Sequence, residues 1–262
     1  MPLIELLDWN NRTVMAVRSK GGVFAFPDFA DNLIRFDSVC WPPADLVQKL
    51  FKSEKLWAFS EEDQTYLSAK LGYYCDLQSV HSEDALHWSY FGPLIYATDI
   101  QRLDFARWLR TKLSLKAHEP ASCSLSCWRR VPHPENGTPN GPEMDLLIVT
   151  DTFTLVLESK WRSGEGRWQG MAGNSTQLEL RQRFLAQFGP AVFRNGLVAV
   201  LYVILDQSQS SFGNPGIPIP VLNMKWSELC QFAKHPRADE VKRYYDWKRN
   251  LVVRKFGTPA PG

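Results

Sequence analysis

The sequence predicts an α/β protein with a small N-terminal α+β subdomain. Along the 262 residues, short strand-like segments with alternating or continuous apolar residues are interspersed with segments whose apolar residues recur about every 3.6 positions. Hydrophobic residues make up 44% of the chain, which is sufficient for a large core. We place the N-terminal subdomain at residues 1–75 and the main domain at residues 76–262.

The N-terminal subdomain begins with a predicted β-hairpin. Two apolar runs, Thr13–Arg18 and Val23–Phe26, flank the turn sequence Ser19-Lys20-Gly21-Gly22. From Pro42 to Leu71 the spacing of the apolar residues becomes helical. Within this stretch Ser60 precedes three acidic residues, which indicates an N-cap and the first turn of a helix.

Two helices are predicted at the start of the main domain. Ser82 is placed to cap the first helix, and Gly92 followed by Pro93 predicts its end. Thr98 or Asp99 caps the second helix, which has a clear apolar stripe. After this helix the period of the apolar residues changes to two, which predicts a strand.

The next part of the main domain predicts a strand pair, a helix and a further strand. Met144–Thr150 and Phe153–Leu157 are joined by a short turn and form an antiparallel pair. Asn174 or Ser175 caps the helix that follows a glycine-rich loop. The continuous apolar run from 198 to 205 predicts the further strand.

The composition indicates a reducing compartment. Five cysteines are an odd number in a chain too long to depend on disulfides. The N-terminus lacks the features of a signal peptide, and no run reaches the ~18 apolar residues that span a bilayer. We therefore expect a cytoplasmic protein with no membrane contact. Because the formal charge is only +2, any affinity for nucleic acid must come from a local basic surface.

Three charged residues, Asp145, Glu158 and Lys160, are brought together by the predicted strand pair. Asp145 begins one strand, and the other two residues end the next. In an antiparallel pair, the first residues of one strand lie opposite the last residues of the other. Because side chains alternate along a strand, Glu158 and Lys160 point to the same face, whereas Ser159 points away and leaves its carbonyl available. The three charged side chains therefore converge.

The charges at this point need compensation. They end segments that are otherwise apolar, where an unpaired charge is costly. Two carboxylates, a carbonyl and waters are hard oxygen ligands, which favour Mg²⁺ or Mn²⁺, and a lysine can hold an attacking water. A zinc site is not favoured, because Cys123 and Cys127 would lie ~13 Å apart in a strand.

The same residues resemble the motif of the PD-(D/E)XK, or restriction-endonuclease-like, nucleases. Pro142-Glu143-Met144-Asp145 is followed, after twelve residues, by Glu158-Ser159-Lys160, and the proline lies three residues before Asp145 rather than next to it. The resemblance covers residues 76 to 230. It implies a central mixed β-sheet flanked by helices in the order αβββαβ, and a role for Lys160 in serving the attacking water.

The resemblance also implies roles for further residues. Asp145 and Glu158 would hold Mg²⁺ or Mn²⁺, with the carbonyl of Ser159 as an additional ligand. Many members carry an acidic residue on the preceding helix that faces the site, and Glu83 has that place here. Several members carry a glutamine early in the helix that follows, which here is Gln177.

Basic residues near the predicted site are candidates for phosphate contacts. Arg181 lies one helical turn after Gln177, and Arg167 and Trp168 lie in the glycine-rich loop. We predict a final short helix at residues 226–233. From Lys234 onward basic residues outnumber acidic ones by eight to three, which indicates either a DNA-facing surface or a solvated one.

The resemblance implies a metal-dependent nuclease that hydrolyses phosphodiester bonds, with DNA as the substrate and bacterial defence or DNA repair as contexts. A catalytically inactive nuclease-fold protein that binds nucleic acid or a protein partner is an alternative, and so is a purely structural interaction module. The purely structural module would have no metal site, and this separates it from the other two classes. A homodimer and an assembly with a partner subunit both stay open.

Overall fold

The computed structural model describes four stretches of the chain: residues 3–37, 39–162, 175–193 and 196–253. The chain forms two compact units. The first consists of residues 1–93 and 237–262, and the second of residues 94–236. The subdomain boundary expected at residue 75 falls inside the first unit.

The first unit contains a three-stranded antiparallel sheet in the order β1-β2-β3. Its strands are β1 (Ile4–Leu7), β2 (Thr13–Arg18) and β3 (Phe24–Ala25). The predicted hairpin is confirmed, since Val17 pairs with Ala25 and the backbone N–H of Ser19 donates to the carbonyl of Val23 (2.9 Å). The sequence does not predict β1, because four residues are too short a pattern to distinguish a strand from a loop.

Two helices of the first unit begin at the predicted caps, Ser60 and Ser82. The first unit contains α1 (Ala44–Val47), α2 (Glu61–Ser68) and α3 (Glu83–Ile95), with 3₁₀ helices at Phe29–Asn32, Glu54–Ala58 and Asp76–Gln78. The hydroxyl of Ser60 accepts a hydrogen bond from the N–H of Asp63 (3.2 Å) at the start of α2. The hydroxyl of Ser82 accepts one from the N–H of Ala85 (3.1 Å) at the start of α3. Both side chains satisfy an N–H group that has no partner within its helix.

The end of α3 differs from the prediction. The helix passes through Gly92 and Pro93 and ends at Ile95. Gly92 has a steric function, because a Cβ atom there would lie 2.9 Å from the indole of the buried Trp88. Pro93 lies in the last turn, where its missing N–H removes one hydrogen bond of the helix without ending it. The glycine therefore makes room for a ring and does not end the helix.

A long C-terminal helix, α7 (Ala238–Val253), completes the first unit. The helix predicted at residues 226–233 is present as α6 (Trp226–Leu229), but it is not the last one, because the many charges after Lys234 hide the apolar face of α7. Lys248 belongs to that face and is fully buried. Its Nζ donates to Oδ1 of Asn32 (3.3 Å) and lies 5.7 Å from the ring centre of Tyr244. Burial lowers the pKa of Lys248 well below its ordinary value.

We expect Lys248→Met to raise the free energy of unfolding by about 1–3 kcal/mol at pH 7, because the methionine avoids the cost of burying an amine. The unfolded chain binds this proton more tightly than the folded protein. The wild-type stability should therefore rise with pH up to the ordinary pKa of 10.5, and the advantage of the variant should shrink. Urea unfolding across this pH range measures both effects. Lys242→Met, at an exposed position of α7, serves as the control, and equal effects of the two substitutions would contradict the prediction.

The second unit is built on a five-stranded mixed sheet in the order β4-β5-β6-β7-β8. Its strands are β4 (Cys123–Arg130), β5 (Glu143–Thr150), β6 (Phe153–Ser159), β7 (Leu197–Ile204) and β8 (Val221–Lys225). Strands β4 to β6 are antiparallel, whereas β7 and β8 run parallel to β6. The α/β class and the mixed sheet are confirmed. The edge strand β8 is not predicted, because most of its residues are half-buried and its apolar pattern is weak.

Helix α5 packs against one face of this sheet. The helices of the second unit are α4 (Asp99–Lys112), α5 (Gln177–Val192) and α6 (Trp226–Leu229), with a 3₁₀ helix at Gln207–Gln209. Leu178 and Leu185 of α5 share a buried cluster with Val156 and Val200 of the sheet. Thr176 caps α5, one residue after the predicted positions, and its hydroxyl accepts from the N–H of Glu179. Within the described stretches, no helix is long and apolar enough to cross a membrane.

Candidate active site

The strand pair β5–β6 brings Asp145 and Glu158 close together. The antiparallel pairing ends at Leu146 and Leu157, and Asp145 and Glu158 are the next residues of the two strands. The charge of Asp145 contributes to the raised pKa of Glu158, and Asp145 is hydrogen-bonded to Ser159, the neighbour of Glu158. The predicted convergence of these two carboxylates is therefore confirmed. Asp145 is half-buried, whereas Glu158 is only 1% exposed.

Ser159 positions the carboxylate of Asp145. Its backbone N–H donates to Oδ2 of Asp145 (2.7 Å), and its hydroxyl donates to the same oxygen (3.0 Å). The expectation that this side chain points away was wrong. The pairing of β6 with β5 ends at Leu157, so that beyond it the carboxylate of Asp145 reaches Ser159, which itself still pairs with Val203 of β7. The role of the Ser159 carbonyl as a metal ligand stays a prediction.

Lys160 follows β6, and two hydrogen bonds fix its backbone. Its N–H donates to the carbonyl of Val203 (2.7 Å), and the indole of Trp226 donates to its carbonyl (3.0 Å). Its side chain is 5% exposed, with Nζ 2.6 Å from Oε1 of Glu158. The two residues thus share a face, as predicted, and form a buried ion pair.

Arg181 of α5 contacts the second oxygen of Glu158. Its guanidinium forms an ion pair with Oε2 of that carboxylate. The same group donates to the carbonyl of Glu143 (2.7 Å) and to the carbonyl of Gln177 (2.9 Å). The sequence offered Arg181 only as a phosphate contact and did not predict this pairing. The feature of the sequence that places Arg181 near the site is its spacing of one helical turn from Gln177.

Burial makes the charge of Glu158 depend on its neighbours. Desolvation raises the pKa of Glu158 to about 7. The positive charge of Arg181 counteracts this rise, the carboxylate of Asp145 adds to it, and Lys160 counteracts it. The site therefore combines two carboxylates with two cations in a largely buried position, where the loss of one partner is costly.

A cleft of about 650 Å³ lies beside Arg181, whereas Asp145, Glu158 and Lys160 are not among the residues that line it. Arg181 and Gln177 line it from α5, and Arg130 lines it from the end of β4. His133 and Asn136 line it from the loop that connects β4 to β5. Such a set of guanidinium, imidazole and amide groups supplies hydrogen-bond donors for an anionic ligand. Gln177 thus reaches the cleft, while its catalytic role stays a prediction.

The structure leaves three expectations about this site without a test. Glu83 is the first residue of α3 and belongs to the first unit, whereas Asp145 belongs to the second, so its role as a fourth acidic residue stays a prediction. Arg167 and Trp168 lie outside the described residues. In the basic C-terminal stretch, Lys248 is buried and does not contribute to a DNA-facing surface.

The donors available for a metal ion are carboxylate oxygens. No group of three or more His, Cys, Asp or Glu side chains that could hold a metal occurs among the residues that the structure describes. Asp145 and Glu158 alone are a set that suits Mg²⁺, which commonly keeps several waters and binds one or two carboxylates. The same set does not suit Zn²⁺, which prefers nitrogen and sulfur ligands in a closed tetrahedron.

Comparisons with known proteins add no residue to this site. No family model, curated protein or solved structure matches the chain. The site is accordingly defined by the side chains that its own geometry brings together. These are Asp145, Glu158, Ser159, Lys160 and Arg181, beside the polar cleft.

Proposed function

We propose that the protein is a Mg²⁺-dependent nuclease of the PD-(D/E)XK type that hydrolyses phosphodiester bonds in DNA. The observation that carries the proposal is the position of Asp145 and Glu158 on paired strands, with Lys160 beside them. An acidic pair with an adjacent lysine at the ends of two antiparallel strands is the arrangement that the sequence motif implies. The polar cleft beside Arg181, the ion-pair partner of Glu158, is a suitable place for a nucleic-acid strand.

The order of the elements also supports the proposal. Helix α4 is followed by β4, β5 and β6, then by α5 and β7, which is the order αβββαβ. The sheet is antiparallel in its first half and parallel in its second. In this order α4 directly precedes the first strand, and Glu83 lies one helix earlier. Glu83 is therefore the least supported of the proposed metal ligands.

The proposed mechanism assigns a task to each residue of the site. Asp145 and Glu158 would hold Mg²⁺, which when bound activates water and stabilises negative charge on the scissile phosphate. Lys160 donates hydrogen bonds from Nζ and orients the attacking water. Ser159 holds one oxygen of Asp145 and thereby fixes the rotation of the carboxylate. Trp226 and Val203 fix the backbone of Lys160.

A catalytically inactive binding module is the second candidate. It is favoured by the pairing of both Glu158 oxygens with cations, Lys160 on one side and Arg181 on the other. If this pairing is permanent, the carboxylate serves only to hold the sheet and α5 together. The polar cleft would then bind a nucleic-acid strand without cleaving it.

Calorimetric titration with Mn²⁺ separates these two functions. We expect one site in the wild-type protein and at least tenfold weaker binding in Asp145→Asn, because the amide keeps the acceptor for Ser159 but loses the charge. Asp151→Asn is the matched control. Asp151 lies in the turn at the other end of the same strand pair, where it accepts from the N–H of Ala121 (2.9 Å). Absence of manganese binding to the wild type would refute the metal-dependent enzyme.

A further inference from the structure

The guanidinium of Arg181 is paired with the carboxylate that the proposed metal ion requires. It forms an ion pair with Oε2 of Glu158, and Nζ of Lys160 lies 2.6 Å from Oε1. All three side chains are almost completely buried. Because like charges repel strongly where water is excluded, a divalent cation can bind Glu158 only if one of the two cations moves away from it.

Arg181 is the cation that is able to move from Glu158 and keep other partners. It donates to the carbonyls of Glu143 and Gln177 in addition to its ion pair. Its Nε–H is buried and has no hydrogen-bond acceptor among the residues that the structure describes. Lys160, in contrast, is needed beside Glu158 in the proposed mechanism, and its backbone is fixed next to that residue by hydrogen bonds of its N–H and its carbonyl.

The cleft beside Arg181 is able to bind a second anion as the partner of this residue. Arg181 lines this cleft together with Arg130, His133 and Asn136. A phosphodiester group carries the charge and the oxygen geometry that a guanidinium binds through two parallel hydrogen bonds. A phosphate in the cleft therefore replaces the carboxylate as the partner of Arg181, without leaving a buried charge unpaired.

We propose that Arg181 exchanges Glu158 for a phosphate of the nucleic-acid substrate when the divalent cation binds. This inference rests on the proposed function and adds a coupling between its two ligands. In the absence of nucleic acid, the ion pair with Arg181 weakens the affinity of Glu158 for a divalent cation. Once the exchange takes place, metal and nucleic acid each strengthen the binding of the other by the same factor.

Titration of Mn²⁺ into free protein tests the first half of the exchange. We expect Arg181→Gln to bind Mn²⁺ about tenfold more tightly than the wild type, because the competing cation is gone while Lys160 still pairs with Glu158. A purely structural arginine would give unchanged or weaker binding, and either result overturns the inference. Arg183→Gln is the control, since Arg183 lies on the same helix, is 42% exposed and pairs with Glu135.

The wild-type protein supplies a second test that does not depend on the stability of a variant. The affinity for Mn²⁺ is measured with and without a saturating phosphorothioate oligonucleotide, and the heat of manganese binding to the oligonucleotide alone is subtracted. We expect about tenfold tighter binding of Mn²⁺ in the presence of the oligonucleotide. Equal affinities overturn the exchange.

The outcomes distinguish this inference from the proposed function. If the wild type binds Mn²⁺ in a manner that depends on Asp145, and Arg181→Gln binds it no more tightly, the exchange fails and the nuclease proposal survives. If neither protein binds Mn²⁺, the proposed function fails and the exchange fails with it. If Arg181→Gln binds Mn²⁺ more tightly than the wild type and Arg183→Gln binds it with unchanged affinity, the result supports both the exchange and the proposed function.

Discussion

Replacing Glu158 with alanine is expected to lower the free energy of unfolding by about 3–5 kcal/mol, because it leaves two buried cations without their anion. Lys160 and Arg181 both pair with this carboxylate, and their side chains are only 5% and 4% exposed. Each of them loses its counter-charge when the carboxylate is removed. Urea unfolding monitored by tryptophan fluorescence measures the loss.

An ion pair that involves another arginine of α5, the helix of Arg181, provides the control for this prediction. Arg183 and Glu135 approach to 3.7 Å, and their side chains are 42% and 24% exposed. Glu135→Ala should therefore cost no more than about 1 kcal/mol. If Glu158→Ala costs as little as Glu135→Ala, the ion pairs of Glu158 do not stabilise the fold. The double variant Glu158→Ala/Arg181→Met should recover part of the loss, because it removes one of the stranded cations.

Replacing Lys160 with methionine is expected to reduce the rate of phosphodiester cleavage by about 10²–10⁴-fold, the range typical for the loss of a group that assists proton transfer. The fold should persist, because Glu158 keeps its ion pair with Arg181. Initial rates of plasmid relaxation under identical Mg²⁺ concentrations measure the change. Unfolding curves recorded for the same preparations show whether the loss arises from chemistry or from instability.

Lys234→Met is the matched control for the activity measurement. Lys234 belongs to the same compact unit, is 70% exposed and pairs with Asp104 at 3.0 Å. Its replacement removes the same charge from a surface position and should leave the rate within about twofold of the wild type. Equal activity of Lys160→Met and wild type would mean that the lysine does not take part in the reaction, or that a contaminating nuclease is present.

The sequence predicted the strand pair that carries Asp145 and Glu158, because the information is local. Two apolar segments separated by a short turn specify an antiparallel pair, and alternation then decides which residues share a face. Ser159 shows where this reasoning ends. The pairing of β6 with β5 stops at Leu157, and beyond it the hydroxyl of Ser159 bonds to Asp145. Alternation gives no information about that contact.

The ion pair between Glu158 and Arg181 could not be predicted in the same way. The two residues lie 23 positions apart, on a strand and on a helix, and their contact depends on how α5 packs against the sheet. The burial of Lys248 has the same origin, since the charge pattern of α7 is typical of a solvated surface. Local periodicity identifies helices and strands, but tertiary packing decides which charged side chains become buried.

The most direct test of the account is cleavage of supercoiled plasmid DNA by the wild-type protein and by Asp145→Asn, each with Mg²⁺ and with a chelator. Asp145→Asn keeps the shape of the side chain and an acceptor for the Ser159 hydrogen bonds, so that only the charge changes. We predict nicked or linear DNA with the wild type and Mg²⁺, and none with the chelator or with the variant. Cleavage by Asp145→Asn at the wild-type rate, or none by the wild type at any Mg²⁺ concentration, would contradict a nuclease site at Asp145 and Glu158.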